Sequence, residues 1–238
     1  MAPGTRVYAV GDVHGRLDLL IALESRIAED AAGIRGCERR ILVMLGDYVD
    51  RGRWSRGVLD HLCDPPPAGF ERVLLCGNHD WWMQQFLDEE GDPLPWLTAG
   101  GDMTLESYGV DVIGSLAEPG AIGRLRQRFA RRVPPAHRRL LNKLVFMHNE
   151  GDYLFVHAGI RPGLPLEHQE RRDLMFIREP FLSEPGDLGV VVVHGHTIVR
   201  EPVVTSNRIG IDTGAWRTER LTAAVFEDRS FRFLSTEA

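Results

Sequence analysis

Five short stretches of this chain set acidic, imidazole or amide side chains beside glycines. They are Gly11-Asp12-Val13-His14-Gly15, Gly46-Asp47-Tyr48-Val49-Asp50-Arg51-Gly52, Gly77-Asn78-His79-Asp80, His157-Ala158-Gly159 and His194-Gly195-His196. Carboxylate oxygens mixed with imidazole nitrogens suit Mn2+, Fe or Zn2+, whereas a thiolate site needs clustered cysteines. Cys37, Cys63 and Cys76 form no such cluster. The glycines permit tight turns and close approach of backbone to a metal or a phosphate. A mixed oxygen and nitrogen metal site is therefore expected.

The stretches are far apart in the chain, so secondary structure has to gather them. Arg6 to Val10, Ile41 to Leu45 and Val73 to Cys76 are short apolar runs that predict strands, and each leads into one of the first three stretches. Helices are expected from about Leu17 to Ala31, with Leu20, Leu23 and Ile27 on one face, and around Val58, Leu59 and Leu62, ending before Pro65. Strand, loop and helix in alternation are the pattern of βαβ units, and in such sheets ligands bind at the carboxyl ends of the strands. Residues 81–143 carry helical patterns broken by Pro93, Pro95, Gly100-Gly101 and Pro134-Pro135, which predicts a helical insertion. Strand signals resume at Leu144 to Met147 and at Tyr153 to Val156, with Glu150-Gly151-Asp152 as a hairpin turn. Val190 to Val193 predicts a strand buried on both faces. Val203-Val204, Arg208 to Ile211, Leu221 to Phe226 and Phe231 to Leu234 are expected to complete a second, more antiparallel set, giving an α/β domain with two sheets over residues 1–238.

At 238 residues with 43% apolar content, the chain can bury one sizeable core. The odd cysteine count and the absence of a basic start followed by a long apolar stretch predict a reduced, cytoplasmic protein without a secretion signal. No apolar run nears the ~20 residues needed to cross a bilayer, so no membrane partner is expected. A net charge of −6 argues against nucleic acid as the primary partner.

The ordered motifs GDVHG (Gly11 to Gly15), GDYVDRG (Gly46 to Gly52), GNHD (Gly77 to Asp80), FVHAG (Phe155 to Gly159) and HGHT (His194 to Thr197) carry a resemblance. The sequence resembles the calcineurin-like metallophosphoesterases, and within them bacterial serine/threonine protein phosphatases related to bacteriophage lambda phosphatase. That resemblance implies an α/β/β/α sandwich of two mixed sheets flanked by helices. It also implies two divalent ions, with Mn2+ the first expectation and Fe or Zn2+ the alternatives. Asp12, His14 and Asp47 would bind one ion, and Asp47, Asn78, His157 and His196 the other, so that Asp47 bridges. His79 would be the catalytic histidine, Asp50 its orienting partner, and Arg51, Arg178 and Asn78 the groups that hold the substrate phosphate. The implied reaction is hydrolysis of phosphate monoesters by direct attack of a metal-bridging hydroxide, with the leaving oxygen protonated by His79.

Some positions depart from the family pattern: Arg53-Trp54-Ser55 replaces a proline-led turn, Met175-Phe176 a Leu-Trp pair, and Ile198 a histidine. The last implies fewer protein ligands and more water at the first ion. Blander roles compete at several positions. Turn chemistry would explain any one of Asp12, Asp47, Asn78 or His157, but not four loops together. His194 is expected to be a buried or supporting histidine, and His61, His137, His148 and His168 ordinary core or surface residues. Arg178 has a salt bridge to Glu179 or Asp173 as its alternative role. Arg124, Arg126, Arg128, Arg131, Arg132, Arg138 and Arg139 are expected to form a solvated helix face, with a substrate-attracting lid as the alternative. Trp81 and Trp82 are expected to pack the insertion. The first functional reading is a phosphatase acting on phosphoserine or phosphothreonine proteins, or on a phosphorylated small molecule. The second is a symmetrical bis(5'-nucleosyl)-tetraphosphatase, and a distant third is a non-catalytic metal-binding scaffold.

Overall fold

The computed structural model describes residues 1–33, 37–112 and 120–236. Residues 113–119 of the expected helical insertion, and 237–238 of the expected domain, lie outside the described residues. Among the described residues, ten strands form two five-stranded sheets. The first has the order β10-β9-β1-β2-β3, from β1 (Thr5–Val10), β2 (Arg39–Met44), β3 (Phe70–Leu74), β9 (Thr222–Glu227) and β10 (Ser230–Ser235). The second has the order β4-β5-β6-β8-β7, from β4 (Met147–Glu150), β5 (Tyr153–Val156), β6 (Val191–His194), β7 (Val203–Val204) and β8 (Arg208–Gly210).

Alternation of side chains along each strand divides the core into layers. Val7, Ala9, Ile41 and Val43 point inward from the first sheet and meet Phe155, Val193 and Ile209 of the second. Tyr8, Val10, Leu42 and Met44 point the other way, onto Leu20, Leu23 and Ile27 of α1 (Leu17–Ala32) and Val58, Leu59 and Leu62 of α2 (Ser55–Cys63). On the far side, Leu154, Val156 and Val192 pack with Leu174, Ile177 and Phe181. The result is an α/β/β/α arrangement of two mixed sheets. β6 is covered on both faces, since Val193 faces the inter-sheet core and Val192 the outer layer.

Two expectations are corrected. β9 and β10 do not join the second sheet; β9 pairs antiparallel with β1, placing Val225 opposite Tyr8, and extends the first sheet. The second sheet is consequently mixed, because β5, β6 and β8 run parallel. The strand expected at Leu144 to Met147 begins instead at Met147, where the hairpin register sets Met147 opposite Val156 and Glu150 opposite Tyr153. Leu144 belongs to the core beneath the helices, with Val145 making a lone parallel bridge to Leu75.

Between β3 and β4 the described chain is helical. α3 (Asn78–Leu87) starts within the third motif, so Asn78 and His79 sit in a first helical turn and not in a free loop. A helical stretch from Leu94 to Ser107 follows, with a π-type turn at Leu97–Gly101, and helices Ala121–Arg132 and Pro135–Leu141 complete the segment.

Candidate active site

Parallel strands place their carboxyl ends on one edge of each sheet, and the motif residues follow β1, β2, β3, β5 and β6 on those edges. The connecting backbone is strained there: of eight described non-glycine residues with positive φ, five are His14, Asp47, Asp50, Arg51 and His196. Each such conformation costs on the order of 1–3 kcal/mol and persists only where the surroundings hold it. The first two motifs hold each other, with the Val13 and His14 N–H groups donating to the Asp47 carbonyl at 3.2 and 2.8 Å and Gly52 N–H donating to His14 O at 3.1 Å. The third locks onto the second through Asp80, whose carboxylate accepts from the N–H groups of Asp47 (2.7 Å), Tyr48 (2.9 Å) and Gly77 (3.0 Å). Only glycine fits at 77, where a Cβ would lie 2.1 Å from Asp47 Oδ1.

Asp47 is the hub of the donor atoms. Its Oδ2 is 3.5 Å from His14 Nε2 and 3.4 Å from His157 Nε2, and its Oδ1 accepts from the His79 backbone N–H at 2.9 Å. His14 and His157 each direct Nδ1 at a backbone carbonyl, Val49 O at 2.9 Å and Leu45 O at 2.8 Å. Those contacts orient both rings so that Nε2 faces Asp47, the way metal-binding histidines are commonly held. Asn78 Oδ1 lies 3.1 Å from His157 Nε2. Two groups of donor atoms result, His14 with Asp47 and His79, and Asp47 with His157 and His196; within each the atoms lie within 4.8 Å of one another. Asp12 stands beside the second, its carboxylate accepting from His196 N–H at 3.1 and 3.3 Å. His194 joins neither group; it is buried edge-on against Phe181 with its Nδ1 on Gly195 O.

The electrostatics show what the cluster fits. Asp12, Asp47 and a third carboxylate, Asp212, are all buried. Burial, then the charge of Asp212, pushes the Asp12 carboxyl well above its usual range, and burial raises that of Asp212. Burial also opposes the charge of Asp47, but His157, His79 and His14 around it hold it well below the carboxylate range. His157, despite burial, is raised to about 10 by Asp47 and Asp12. His196 is pushed by burial to about 2, and its Nε2 is buried without a hydrogen-bond partner. Carboxylates crowded out of water call for compensating positive charge, and neutral imidazoles with free lone pairs are ligands for cations. The donor set fits divalent ions shared through Asp47.

On the other side of Asp47 lies a buried pair. His79 Nδ1 is 2.6 Å from Asp50 Oδ2, and both side chains are almost wholly buried. Burial opposes the His79 charge, yet Asp47 and Asp50 raise its pKa above the ordinary value. Arg51 reaches both rings through its guanidinium, at 2.9 Å from His14 Nε2 and 3.1 Å from His79 Nε2. Its guanidinium also lies 5.3 Å from the Trp216 ring centroid. Arg178 is exposed at the rim and reaches His196 O at 3.4 Å. The alternative partner Asp173 is taken by Arg161 at 2.6 Å, and Glu179 accepts from Ser183.

Several residues with structural work here carry no role in the sequence reading. Asp80 is one; its place inside a motif was visible, but a three-way backbone acceptor is not. Asp212 is another, and the signal was present: it follows β8 in Gly210-Ile211-Asp212-Thr213-Gly214, the same glycine-flanked acidic pattern. Ser55, in the departing turn, places Oγ 3.0 Å from the Asp50 N–H. Phe176, in the other departing pair, packs edge-on against both Trp81 and Trp82, and Trp82 also meets His79 at 5.1 Å between ring centroids. Ile198 packs beside Gly214, at 3.1 Å from where a Cβ would stand. Three of the helical arginines have contacts within their own segment: Arg132 donates to the carbonyls of Tyr108 and Gly109, Arg138 lies 3.8 Å from Asp88, and Arg126 lies over Phe86.

Comparison with known proteins adds to this geometry. The family model described as calcineurin-like phosphoesterase matches residues 5–209. A bis(5'-nucleosyl)-tetraphosphatase of Bacillus velezensis, named as asymmetrical, is 24% identical over 236 residues, covering 92% of this chain and 88% of the relative. A serine/threonine-protein phosphatase 7 of Arabidopsis thaliana is 40% identical over 78 residues, covering 32% of this chain and 17% of the relative. Among solved structures, one titled as a putative diadenosine tetraphosphatase superposes with a TM-score of 0.60 at 21% identity, covering 97% of this chain and 93% of that one.

Proposed function

The chain belongs to the calcineurin-like phosphoesterase family, whose metal-dependent phosphoester hydrolysis its buried carboxylates and imidazoles fit, and we propose that it hydrolyses phosphoserine or phosphothreonine monoesters. Asp12, His14, Asp47, Asn78, His157 and His196 would hold two divalent ions in this reading, Mn2+ first and Fe or Zn2+ as alternatives. Bound there, such ions lower the pKa of a water and neutralise phosphoryl charge during in-line displacement.

The observation that carries the choice of substrate is the Asp50–His79 pair. A seryl or threonyl alkoxide is a poor leaving group and needs a proton as the ester bond breaks. The phosphate leaving group of an anhydride departs far more readily. Asp50 accepts from His79 Nδ1 and stabilises the imidazolium, so Nε2 is the atom that donates. Arg51 cannot remain on that nitrogen while it is protonated, because a guanidinium has only donors. In this account the substrate phosphoryl draws Arg51 away, gaining a two-point contact to its oxygens and leaving His79 Nε2 to face the departing oxygen. Arg178 adds a weaker grip from the rim.

A second reading, hydrolysis of dinucleoside polyphosphates, is favoured by the near full-length match to the Bacillus relative. The name of that relative specifies asymmetrical cleavage, so it lends no support to the symmetrical reaction expected from sequence. Residues 1–238 act as one domain in either reading, with the helices between β3 and β4 as its insertion.

The test compares kcat/KM for a phosphoserine peptide, a phosphothreonine peptide, a phosphotyrosine peptide and diadenosine tetraphosphate, each with added Mn2+, Fe2+ or Zn2+. The phosphoserine or phosphothreonine peptide is expected to lead by about tenfold or more, a margin that differential transition-state binding readily supplies. A lead for diadenosine tetraphosphate overturns the first reading in favour of the second. No turnover of any substrate with any metal restores the scaffold reading.

A further inference from the structure

The helical stretch from Leu94 to Ser107 closes over the His79–Asp50 pair. Trp96 is 1% exposed, its ring tilted against Phe86 at 4.7 Å and Phe129 at 6.0 Å between centroids. Its indole Nε1–H leaves that apolar setting to donate to Asp50 Oδ2 at 2.9 Å, the same oxygen that meets His79 Nδ1. Thr104, fully buried, donates its hydroxyl to Asp50 Oδ1 at 2.6 Å and accepts from the Asp50 N–H at 2.9 Å. The Ser55 hydroxyl lies 3.0 Å from Thr104 Oγ1. Between Trp96 and Thr104 the chain touches the second motif again: Arg51 N–H donates to Gly100 O at 3.1 Å, and a Cβ at Gly100 would stand 2.8 Å from Arg51 N.

A carboxylate can rotate about its last bond, and a histidine ring follows the oxygen that holds it. Two donors from one helical stretch, one on each oxygen of Asp50, fix the plane of the carboxylate and with it the direction of the His79 ring. Packing alone gives no reason for the orientation of either donor, since Thr104 would fill the same space as valine and Trp96 the same apolar pocket with its nitrogen elsewhere.

Resting on the reading above, we infer that Trp96 and Thr104 are positioning residues that hold Asp50, and through it aim His79 Nε2 at the leaving oxygen. The helical segment is in that respect part of the catalytic framework. Neither residue touches substrate, so the effect falls on kcat, and it falls hardest where the leaving group most needs a proton.

The experiment uses the full chain with Mn2+ and two esters: a phosphoserine peptide, with a poor alkoxide leaving group, and 4-nitrophenyl phosphate, with a good one. Thr104→Val removes one donor at nearly constant volume, and Trp96→Phe removes the other together with part of the indole's packing, so a thermal denaturation control accompanies it. Both variants are expected to lose about 10- to 100-fold in kcat on the phosphopeptide, with losses within about threefold on 4-nitrophenyl phosphate and KM little changed. Thr104→Ser keeps the hydroxyl and is expected to recover most of the phosphopeptide rate. Equal losses on both esters, no loss on either, or failure of Thr104→Ser to recover overturn the inference. Absence of turnover by the wild-type chain on both esters counts instead against the phosphatase reading itself.

Discussion

The two sides of Asp47 are built differently. On one side His79 and Asp50 are buried, and both carboxylate oxygens of Asp50 are met by donors from the helical segment. On the other, His196 offers a buried Nε2 with no hydrogen-bond partner, and Arg178 reaches inward from the surface on a single 3.4 Å contact. In the proposed function the contrast separates two tasks. Directing a proton needs side chains whose orientation the protein fixes beforehand, whereas holding cations and phosphate needs donor atoms left open to ligands.

Substitutions on either side should therefore fail in different ways. The largest expected effect is on the buried side: His79→Asn leaves a folded chain with kcat on the phosphoserine peptide reduced by about 100-fold or more. Steady-state kinetics with a thermal denaturation control measures this, and near-normal turnover would remove the proton-donor role. Gly195→Ala comes next, on the cation side. A Cβ there would stand 2.0 Å from Asp12 Oδ1, so the carboxylate must move. A stability loss of about 1–3 kcal/mol is expected, with weaker metal retention on dialysis; unchanged values of both would show that Asp12 does not need its present place.

Arg178→Ala should do less. At the exposed rim it is expected to raise KM a few-fold with kcat retained, the mark of lost uniform binding. A kcat loss as large as that of His79→Asn would erase the distinction between the two sides.

The smallest effect concerns the helical segment that backs the buried side. His137 lies between Tyr108 OH at 2.6 Å and Asp60 Oδ1 at 2.9 Å, and burial, outweighing the opposing pull of Asp60, leaves its pKa lowered. A histidine whose folded pKa is lowered contributes stability that is present above the unfolded value of about 6.5 and lost as pH falls below it. The midpoint of thermal unfolding should fall more steeply between about pH 6.5 and 5 in the wild type than in His137→Gln. Parallel slopes would show that His137 does not tie the segment to pH.

The sequence disclosed these two sides unequally. The cation side was legible because its donors follow strands within glycine-flanked motifs, and a parallel sheet gathers such loops wherever they fall in the chain. Asp212 escaped because the strand before it was read as part of an antiparallel set, whose end has no special claim on chemistry. β9 was misplaced for a related reason: it pairs with β1 across most of the chain, and a strand's apolar pattern does not name its partner. The clamp on Asp50 was the least visible feature. Trp96 and Thr104 read as ordinary helix residues, and only the tertiary contact distinguishes an indole nitrogen that meets a carboxylate from one that meets solvent. Of the helical arginines, Arg132 donates to the Tyr108 and Gly109 carbonyls and Arg138 lies 3.8 Å from Asp88, contacts that also depend on tertiary structure. Among the described residues no helix is long and apolar enough to cross a membrane.

Asp47, common to both groups of donor atoms, is the residue that two cations would share in the proposed function. Metal content per chain, measured after equilibrium dialysis against Mn2+ for the wild type and for Asp47→Asn, tests it most directly. The wild type is expected to retain two ions and to lose hydrolysis of 4-nitrophenyl phosphate when they are chelated, while a folded Asp47→Asn retains fewer ions and loses about 100-fold or more in turnover. Two tightly held ions and undiminished turnover in Asp47→Asn, or full wild-type activity in chelator, would contradict it.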